Sequence, residues 1–368
     1  MKILVTGGAG FIGSHTTDLL LTRGHEVRIL DNLDPQVHPN GRPDYLTTEA
    51  ELMIGDVRDP EAVGKALKGV DAIIHLAAAV GVGQSMYEIR RYTDINAMGG
   101  ATVLEGVLEH RDNIRRMVVA SSMSIYGEGA YLDAKGVPAR APMRSRAQLE
   151  AGDWEHTIGG ETLRPVPTAE TKTLEPSSVY AVGKRDHEEL FTSVGVAYEI
   201  PSVALRYFNV FGDRQALSNP YTGVAAIFGS RLLNNAAPMI YEDGLQSRDF
   251  VHVSDIAMAN VLSLESEESM NEVFNVGTGR SCTILDVARG MAAQLGVEIE
   301  PQVVGKFRAG DIRHCFADIT RIGARLGYAP KVGFDDGMAL LVDWLRGQEA
   351  DDRVEGAQEE LRKRGLVV

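Results

Sequence analysis

The chain has 368 residues, 44% of them hydrophobic and 24% charged, a composition that excludes wholesale disorder and a length that favours two lobes over one core. A formal net charge of −14 argues against a nucleic-acid-binding surface, which depends on basic contacts to phosphate. Two cysteines, Cys282 and Cys315, are too few for a disulfide framework or a cysteine-rich zinc site, so no metal is expected, and an N-terminal apolar run cut by glycines fits neither a signal peptide nor a membrane span, which points to an unprocessed cytoplasmic protein with no membrane partner.

In chain order, KILVT, EVRILD, ELMIGD, DAIIHLA and RMVVAS predict strands, separated by the helical patterns FIGSHTTDLLLTRG, AVGKALKG and a segment near 94–110. Strands spaced by single helices imply right-handed crossovers and a parallel sheet covered on both faces, an α/β doubly wound fold. Residues 129–172 break this rhythm with prolines, mixed charge and Trp154, and form an inserted excursion, for which a lid over a ligand and a packed decoration are equally weighted. SSVYAVGKRDHEELF then predicts a helix and VALRYFNV a strand. Beyond about residue 210 helices dominate, with short strands at MIYE, DFVHV and EVFNVG. The expected division is therefore a dinucleotide-binding lobe at 1–209 and a smaller mixed α/β substrate-binding lobe at 210–368, with interleaved boundaries. The last residues, 350–368, suit an amphipathic helix to which no function is assigned.

TGGAGFIG follows the first strand and opens the first helix, placing Gly7, Gly10 and Gly13 in GxxGxxG spacing with Phe11 and Ile12 between the last two. Glycine permits the tight turn and close approach to a pyrophosphate, while the helix start offers unpaired N–H donors. Alone, such a turn serves equally to join a strand to a packed helix. Asp31, ending EVRILD about 20 residues on, adds a carboxylate that accepts both hydroxyls of an adenosine ribose and repels a 2′-phosphate, so NAD is expected rather than NADP. Asn32 neighbours it. Asp56, with Val57 beside it, ends the next strand within reach of an adenine, although a strand-end aspartate is also a common turn residue.

Tyr180 and Lys184 stand four apart in the predicted helix, hence on one face. That spacing also fits a solvated helix surface. Beside a dinucleotide loop it acquires meaning, because taking hydride from an alcohol requires a base for the alcohol's proton. A phenol is mostly protonated at neutral pH. A cation about 4 Å away, at an effective dielectric near 20, is worth roughly 4 kcal/mol, enough for Lys184 to draw Tyr180 toward use as a base.

Together with HLAA at 75–78, DIN at 94–96, ASSMSIYG, RYFNVFG, RDFVHVSDIA, NVGTG and RAGDIRHCFAD, these motifs make a chain that resembles the extended short-chain dehydrogenase/reductase superfamily, in its nucleotide-sugar epimerase/dehydratase branch. The resemblance covers nearly the whole chain and implies a Rossmann domain, an NAD cofactor, a nucleotide-diphosphate sugar (a UDP-, dTDP- or GDP-hexose) and a homodimer formed through the helices near 94–110 and 178–194. By it, Ser122 is the catalytic serine that holds the sugar hydroxyl deprotonated by Tyr180, with Ser124 close by, and Lys184 also holds the cofactor's ribose. Leu76, Ala77 and Ala78 line the cofactor and Asn96 supports it. Asn209, Arg248 and Arg308 match diphosphate contacts, Asn219 is a weaker match, Asp311 is a ribose contact, and Tyr241 packs by the nucleobase. Taken singly, each also fits a turn former, a surface ion pair or a solvated loop residue.

Dehydratases of this branch carry an Asp-Glu pair, or a glutamate, just after the Ser122 position, and its decarboxylases a glutamate. Here Met123 and Ser124 stand there, and neither supplies the acid and base that loss of water requires. Epimerisation at C4 needs only the oxidising site: the hydroxyl is oxidised, the 4-keto sugar turns over, and hydride returns to its other face. That is the leading expectation. The alternatives are an NAD(H)-dependent nucleotide-sugar 4-ketoreductase, a dehydratase or decarboxylase, an epimerase acting at C3 or C5, and a regulator that binds dinucleotide without catalysis. Two departures stand out. Ser122 and Tyr180 are 58 positions apart, more than members of the branch use. Cys315 falls where some C4 epimerases place a bulky aromatic, which implies either a roomier sugar pocket or simply a small buried side chain.

Overall fold

Seven parallel strands run through the centre of the structure, a computed structural model that describes all residues except 220, 222, 267–269, 309, 349–351, 353 and 368. They are β1 (Lys2–Thr6), β2 (Glu26–Asp31), β3 (Glu51–Ile54), β4 (Ala72–His75), β5 (Arg116–Ser122), β6 (Ser202–Tyr207) and β7 (Glu272–Val276), in the order β7-β6-β5-β4-β1-β2-β3. Strands buried on both faces read as continuous apolar runs, and successive side chains feed opposite cores. Val5, opposite Ile29 and Ile74, packs with Val118 and Leu205 on one face; Leu4, Ile73, Met117 and Val119 pack on the other.

The first face is covered by α1 (Phe11–Thr22), and the second by α2 (Pro60–Leu67), α3 (Gly99–Glu109) and α4 (Val179–Ala197). Local chemistry sets where these helices begin. Asp59 caps α2 through the Glu61 N–H with Pro60 at its first turn, and Ser178 caps α4 through the Ala181 N–H. The second lobe packs α5 (Val224–Leu233) and two later helices through Phe228, Met291 and Leu341 around Phe211 and Phe250.

The expected division at residue 209 is crossed. EVFNVG, read as part of the second lobe, is β7 of the large sheet, pairing parallel with β6 from Val203 opposite Glu272 to Tyr207 opposite Val276. The connection to it is α6 (Val253–Glu265), which lies beside α1 and adds Ile256 and Ala259 to the first face. Without β7, the apolar β6 would be an exposed edge, and a parallel neighbour can be reached only by a covered crossover. The longer later helices are α7 (Ile284–Leu295), opened by a Thr283–Asp286 capping box, α8 (Phe334–Leu345) and α9 (Val354–Lys363), with a short helix at Thr320–Leu326 between α7 and α8.

The 129–172 excursion folds into a three-stranded antiparallel sheet (Ala130–Leu132, Pro138–Ala139, Arg164–Val166), a short helix (Arg146–Glu150) and a hairpin (Thr157–Ile158 with Glu161–Thr162). It is bound to the second lobe. The Thr168 N–H donates to the Phe316 carbonyl at 2.8 Å, and the Gly129 N–H to the His314 carbonyl at 2.9 Å. Arg313, wholly buried, pairs with Glu155 at 2.6 Å, Asp243 at 2.7 Å and Glu242 at 3.0 Å, and Arg144 of the excursion pairs with the same Glu242 at 2.9 Å.

Removing one member of such a network leaves buried charge uncompensated. Arg313→Met is expected to lower stability by about 3 kcal/mol in urea unfolding, and an unchanged midpoint would show that the network makes no such contribution. The Glu155 carboxyl, bonded by His314 and Arg313, is held down at about 2 against an ordinary 4.5. A depressed carboxyl contributes stability above its unfolded value and loses it as pH falls toward the folded one. Glu155→Gln should therefore flatten the stability profile between pH 4.5 and about 2, as read by thermal melts across that range.

Candidate active site

The strand order reverses between β1 and β4, and a cleft opens where the loops after those strands part. It has a volume of about 400 Å³ and is lined from the ends of β1, β2, β4, β5 and β6. Gly7 turns the chain out of β1 at φ +68°, and a Cβ there would lie 2.8 Å from Ala77 Cα. A Cβ on Gly13 would lie 2.2 Å from the Gly7 carbonyl oxygen. Only glycine admits these approaches. Gly10 precedes α1, whose first turn has neither an acidic residue nor a side-chain cap, so its N–H groups remain available to an anion.

Gly7, Gly10, Phe11, Ile12 and Gly13 all line the cleft, as do Asp31, Asn32, Asp56, Val57 and Leu76 to Ala78. Asp31 is fixed by the N–H groups of Ala9 (3.0 Å) and Leu33 (2.9 Å), one on each carboxylate oxygen, which leaves each a further lone pair. Asp56 is more occupied than the sequence suggests: Arg58 grips it at 2.8 Å and Asn32 donates to it at 3.1 Å, and the Arg58 bond holds its carboxyl at about 2. Asn96 stands behind the cleft wall. It is fully buried in a wide helical turn at Asp94–Met98, and its amide is spent on the Ala79 N–H (2.8 Å) and carbonyl (3.1 Å). It does not itself line the cleft and supports the wall from behind.

At the other end Ser122, the last residue of β5, meets Tyr180 and Lys184 of α4. The Ser122 hydroxyl accepts from the Ser124 N–H (3.2 Å) and hydroxyl (2.9 Å), and Tyr180 lines the same end of the cleft. Ser124 thus acts on Ser122 and does not itself line the cleft, while Met123 turns into a core cluster with Tyr126, Phe208 and Cys315. Cys315, almost fully buried there, fills core volume. Lys184 Nζ donates to the Ala120 carbonyl at 3.0 Å.

The electrostatics here run opposite to the sequence expectation. Burial raises the Tyr180 phenol above its ordinary value, with only the nearby Ser122 hydroxyl pulling it down, and burial brings the Lys184 ammonium down to about 7. Desolvation penalises each charged form. Two histidines beside Lys184 went unnoticed in the sequence. His187 donates to the Asn96 carbonyl at 2.7 Å and is held neutral by burial and by Lys184, and His75 shares a hydrogen bond with Thr6 Oγ1 at 2.8 Å. Their signal was position: His187 follows Lys184 by one helical turn.

Asn209 and Asn219 line the cleft. Asn209 Oδ1 is buried without a hydrogen-bond partner, as is Oε1 of Gln215, a cleft residue that sequence reading missed. Asn219 Oδ1 accepts from the Tyr221 N–H (3.1 Å) and from Gln36 (3.3 Å). Tyr241, Arg248, Arg308 and Asp311 lie outside this cleft but close to one another. Arg308 covers the Tyr241 ring at 4.5 Å, and Arg248 donates to the carbonyls of Ile312 (2.6 Å), Ser247 (2.9 Å) and Arg313 (3.0 Å), 3.9 Å from Asp311. Ala309, within the RAGD motif, lies outside the described residues.

Residues 3–147 and 156–277 match the NAD dependent epimerase/dehydratase family. The interruption falls in the excursion. A dTDP-L-rhamnose 4-epimerase of Burkholderia thailandensis is 38% identical over 353 residues, covering 95% of this chain and 96% of that one. Among solved structures, the UDP-glucose 4-epimerase of Thermotoga maritima with UDP-glucose superposes with a TM-score of 0.78 at 30% identity, covering 94% and 99% of the two chains. That of Thermus thermophilus in complex with NAD gives 0.75 at 31%, covering 95% and 100%. The glycine cradle, the uncapped start of α1 and the free lone pairs of Asp31 fit that cofactor. Asp31→Asn, which removes the charge that repels a 2′-phosphate, should shift the ratio of NADP to NAD dissociation constants by at least about tenfold toward NADP; an unchanged ratio in titrations of both dinucleotides would remove Asp31 from the ribose site.

Proposed function

The chain belongs to the NAD dependent epimerase/dehydratase family, and from that premise we propose that Ser122, Tyr180 and Lys184 invert C4 of a thymidine diphosphate 6-deoxyhexose. The broader chemistry is NAD-dependent epimerisation of a nucleotide sugar. The observation that carries the finer reading is the cleft's end itself: Ser122, Tyr180 and Lys184 line it together, and the two residues after Ser122 offer no carboxylate.

NAD, held by the glycine loop and Asp31, supplies the hydride acceptor and donor. The residues of the chain do the rest. Ser122 hydrogen-bonds the C4 hydroxyl and Tyr180 removes its proton as that carbon is oxidised to the ketone. After the 4-keto sugar has turned over, Tyr180 returns the proton to the oxygen, now on the inverted carbon. Lys184, anchored on Ala120, provides the cation beneath this exchange, and Asn209 and Gln215 offer free acceptors to the sugar side. Loss of water or carbon dioxide would need a further acid or base, which Met123 and Ser124 do not supply.

The 6-deoxy sugar and thymidine follow the relative that is 38% identical; a UDP-hexose is the second reading, favoured by the structural matches. We include in the proposal a cytoplasmic homodimer through α3 and α4, around which Met98 and Val182 are exposed; among the described residues no helix is long and apolar enough to cross a membrane.

The test is a proton NMR time course with catalytic NAD and a panel of dTDP-, UDP- and GDP-hexoses. A C4 epimer should form without change of mass and without NADH accumulating; stoichiometric NADH alongside a ketone would instead establish a net oxidoreductase. Tyr180→Phe should cost about 10²- to 10⁴-fold in rate, and unchanged turnover would remove the tyrosine from the mechanism.

A further inference from the structure

Behind the cleft wall, two histidines are buried against each other. His187 of α4 is wholly buried and His75, the last residue of β4, is 1% exposed; their rings lie 5.0 Å apart, and Phe191 stacks on His75 at 5.2 Å. Neither imidazole lines the cleft. The Asn96 carbonyl can only accept, so His187 Nε2 carries the proton of their 2.7 Å hydrogen bond, and the neutral ring leaves Nδ1 as a lone pair. That Nδ1, like Nε2 of His75, has no hydrogen-bond partner among the described residues. A buried nitrogen without a partner costs stability, and an apolar side chain of similar size would fill the space without that cost. Packing alone therefore does not account for an imidazole at 187.

The bond made by Nε2 does. The Asn96 carbonyl belongs to the wide turn at Asp94–Met98, where it also takes the Gly99 N–H, and turns of this kind recur at functional sites. The Asn96 side chain grips Ala79, its N–H at 2.8 Å and its carbonyl at 3.1 Å, and Ala79 lines the cleft. Two glycines let α4 and the turn meet closely: a Cβ on Gly100 would lie 3.1 Å from His187 Cδ2, and one on Gly183 would lie 3.2 Å from Asn96 Cβ. His75 makes a second arm, sharing a hydrogen bond with Thr6 Oγ1 at 2.8 Å, which accepts from the Ala77 N–H at 3.4 Å. The pair of rings thus backs the wall at Ala77 and Ala79, and His187 does so from the helix that carries Tyr180 and Lys184.

We propose that His187 is a positioning residue for the cofactor: acting through Asn96, it fixes the cleft wall at Ala79 against the helix of Tyr180 and Lys184, and so sets how tightly NAD is held. The inference rests on the reading of the cleft as an NAD site and is independent of which sugar is turned over. Burial and Lys184 keep the ring neutral, so this hold adds no second positive charge beside the lysine.

Glutamine and methionine have similar length and flexibility but differ in the amide, so His187→Gln offers the Asn96 carbonyl a donor and His187→Met fills the space without one. The experiment titrates NAD calorimetrically into the full-length wild type and both variants, each freed of bound nucleotide, with melting temperatures measured alongside. His187→Met should weaken NAD about tenfold, and His187→Gln should stay within about threefold of wild type, whichever variant melts lower. In wild type, amide exchange at 97–100, residues that do not line the cleft, should slow on addition of NAD, and His187→Met should lose that protection. Equal affinity in the two variants, at the wild-type level or reduced alike, would make His187 a packing residue and overturn the inference. So would the absence of NAD protection at 97–100 in wild type, a result that needs neither variant to fold. Failure of wild type to bind NAD would instead remove the reading of the cleft and take this inference with it.

Discussion

Glu188 and Arg206 meet in the interior with side chains only 6% and 5% exposed, and the geometry of the site depends on that meeting. Glu188 accepts from Ser121 Oγ at 2.8 Å and from Arg206 Nε at 2.9 Å. Arg206 reaches the Tyr126 hydroxyl at 2.8 Å and the Glu170 carbonyl at 3.0 Å, and Tyr126 donates to Asn275 Oδ1 at 2.7 Å. One buried pair thus joins α4, β5, β6, β7 and the end of the excursion. The desolvation of two ions offsets most of their attraction, so the net stability returned is small. What the pair fixes is register. Glu188 follows Lys184 by four residues and Tyr180 by eight, so the helical face that carries the tyrosine and lysine is keyed to Ser121, the neighbour of Ser122.

The same burial sets the charge state of the site. Burial pushes Tyr180 up and holds His187 near 3, so both favour their neutral forms, while Lys184, drawn down to about 7, is balanced between its charged and neutral forms near neutral pH. A positive charge brought against this site is weakly screened and acts strongly on the phenol. The lysine is therefore a responsive partner and not a permanent one, which i,i+4 spacing by itself could not reveal.

Much of the architecture was legible because its signals are local. Strand runs such as KILVT and RMVVAS and the glycine spacing each act within a few residues, and the structure places Gly7, Asp31, Ser122, Tyr180 and Lys184 around one cleft. What escaped was long-range. EVFNVG carries a strand pattern but nothing that says which sheet it joins; that is decided by the open edge of β6, some 70 residues earlier in the chain. Asn96 and Ser124 have the polarity of ligand contacts, yet their bonds to Ala79 and Ser122 can be seen only once those groups are near. The signs of the Tyr180 and Lys184 shifts follow from depth, which spacing does not encode.

The second lobe is built from strands of two or three residues, such as Met239–Ile240, Ser247–Arg248 and His314–Cys315, and ladders this short hold a binding surface weakly. Both segments that depart from the regular pattern act on this weakness. From the excursion, Arg144 bonds Glu242 at 3.0 Å and the Asp311 carbonyl at 2.9 Å; from the C-terminus, Val367 pairs with Arg308. Tyr241 and the 308–313 segment are thereby gripped from opposite ends of the sequence. The grip also bears on charge. A chain with a net charge of −14 holds an anionic ligand only where its cations are locally concentrated, and Arg248, Arg308 and Lys306 lie in the stretch that these two segments hold together. The long separation between Ser122 and Tyr180 then has a physical account: the added residues leave from the end of β5 and return to the start of α4, but their contacts fall on Tyr241's neighbour Glu242 and on the 308–313 segment of the second lobe.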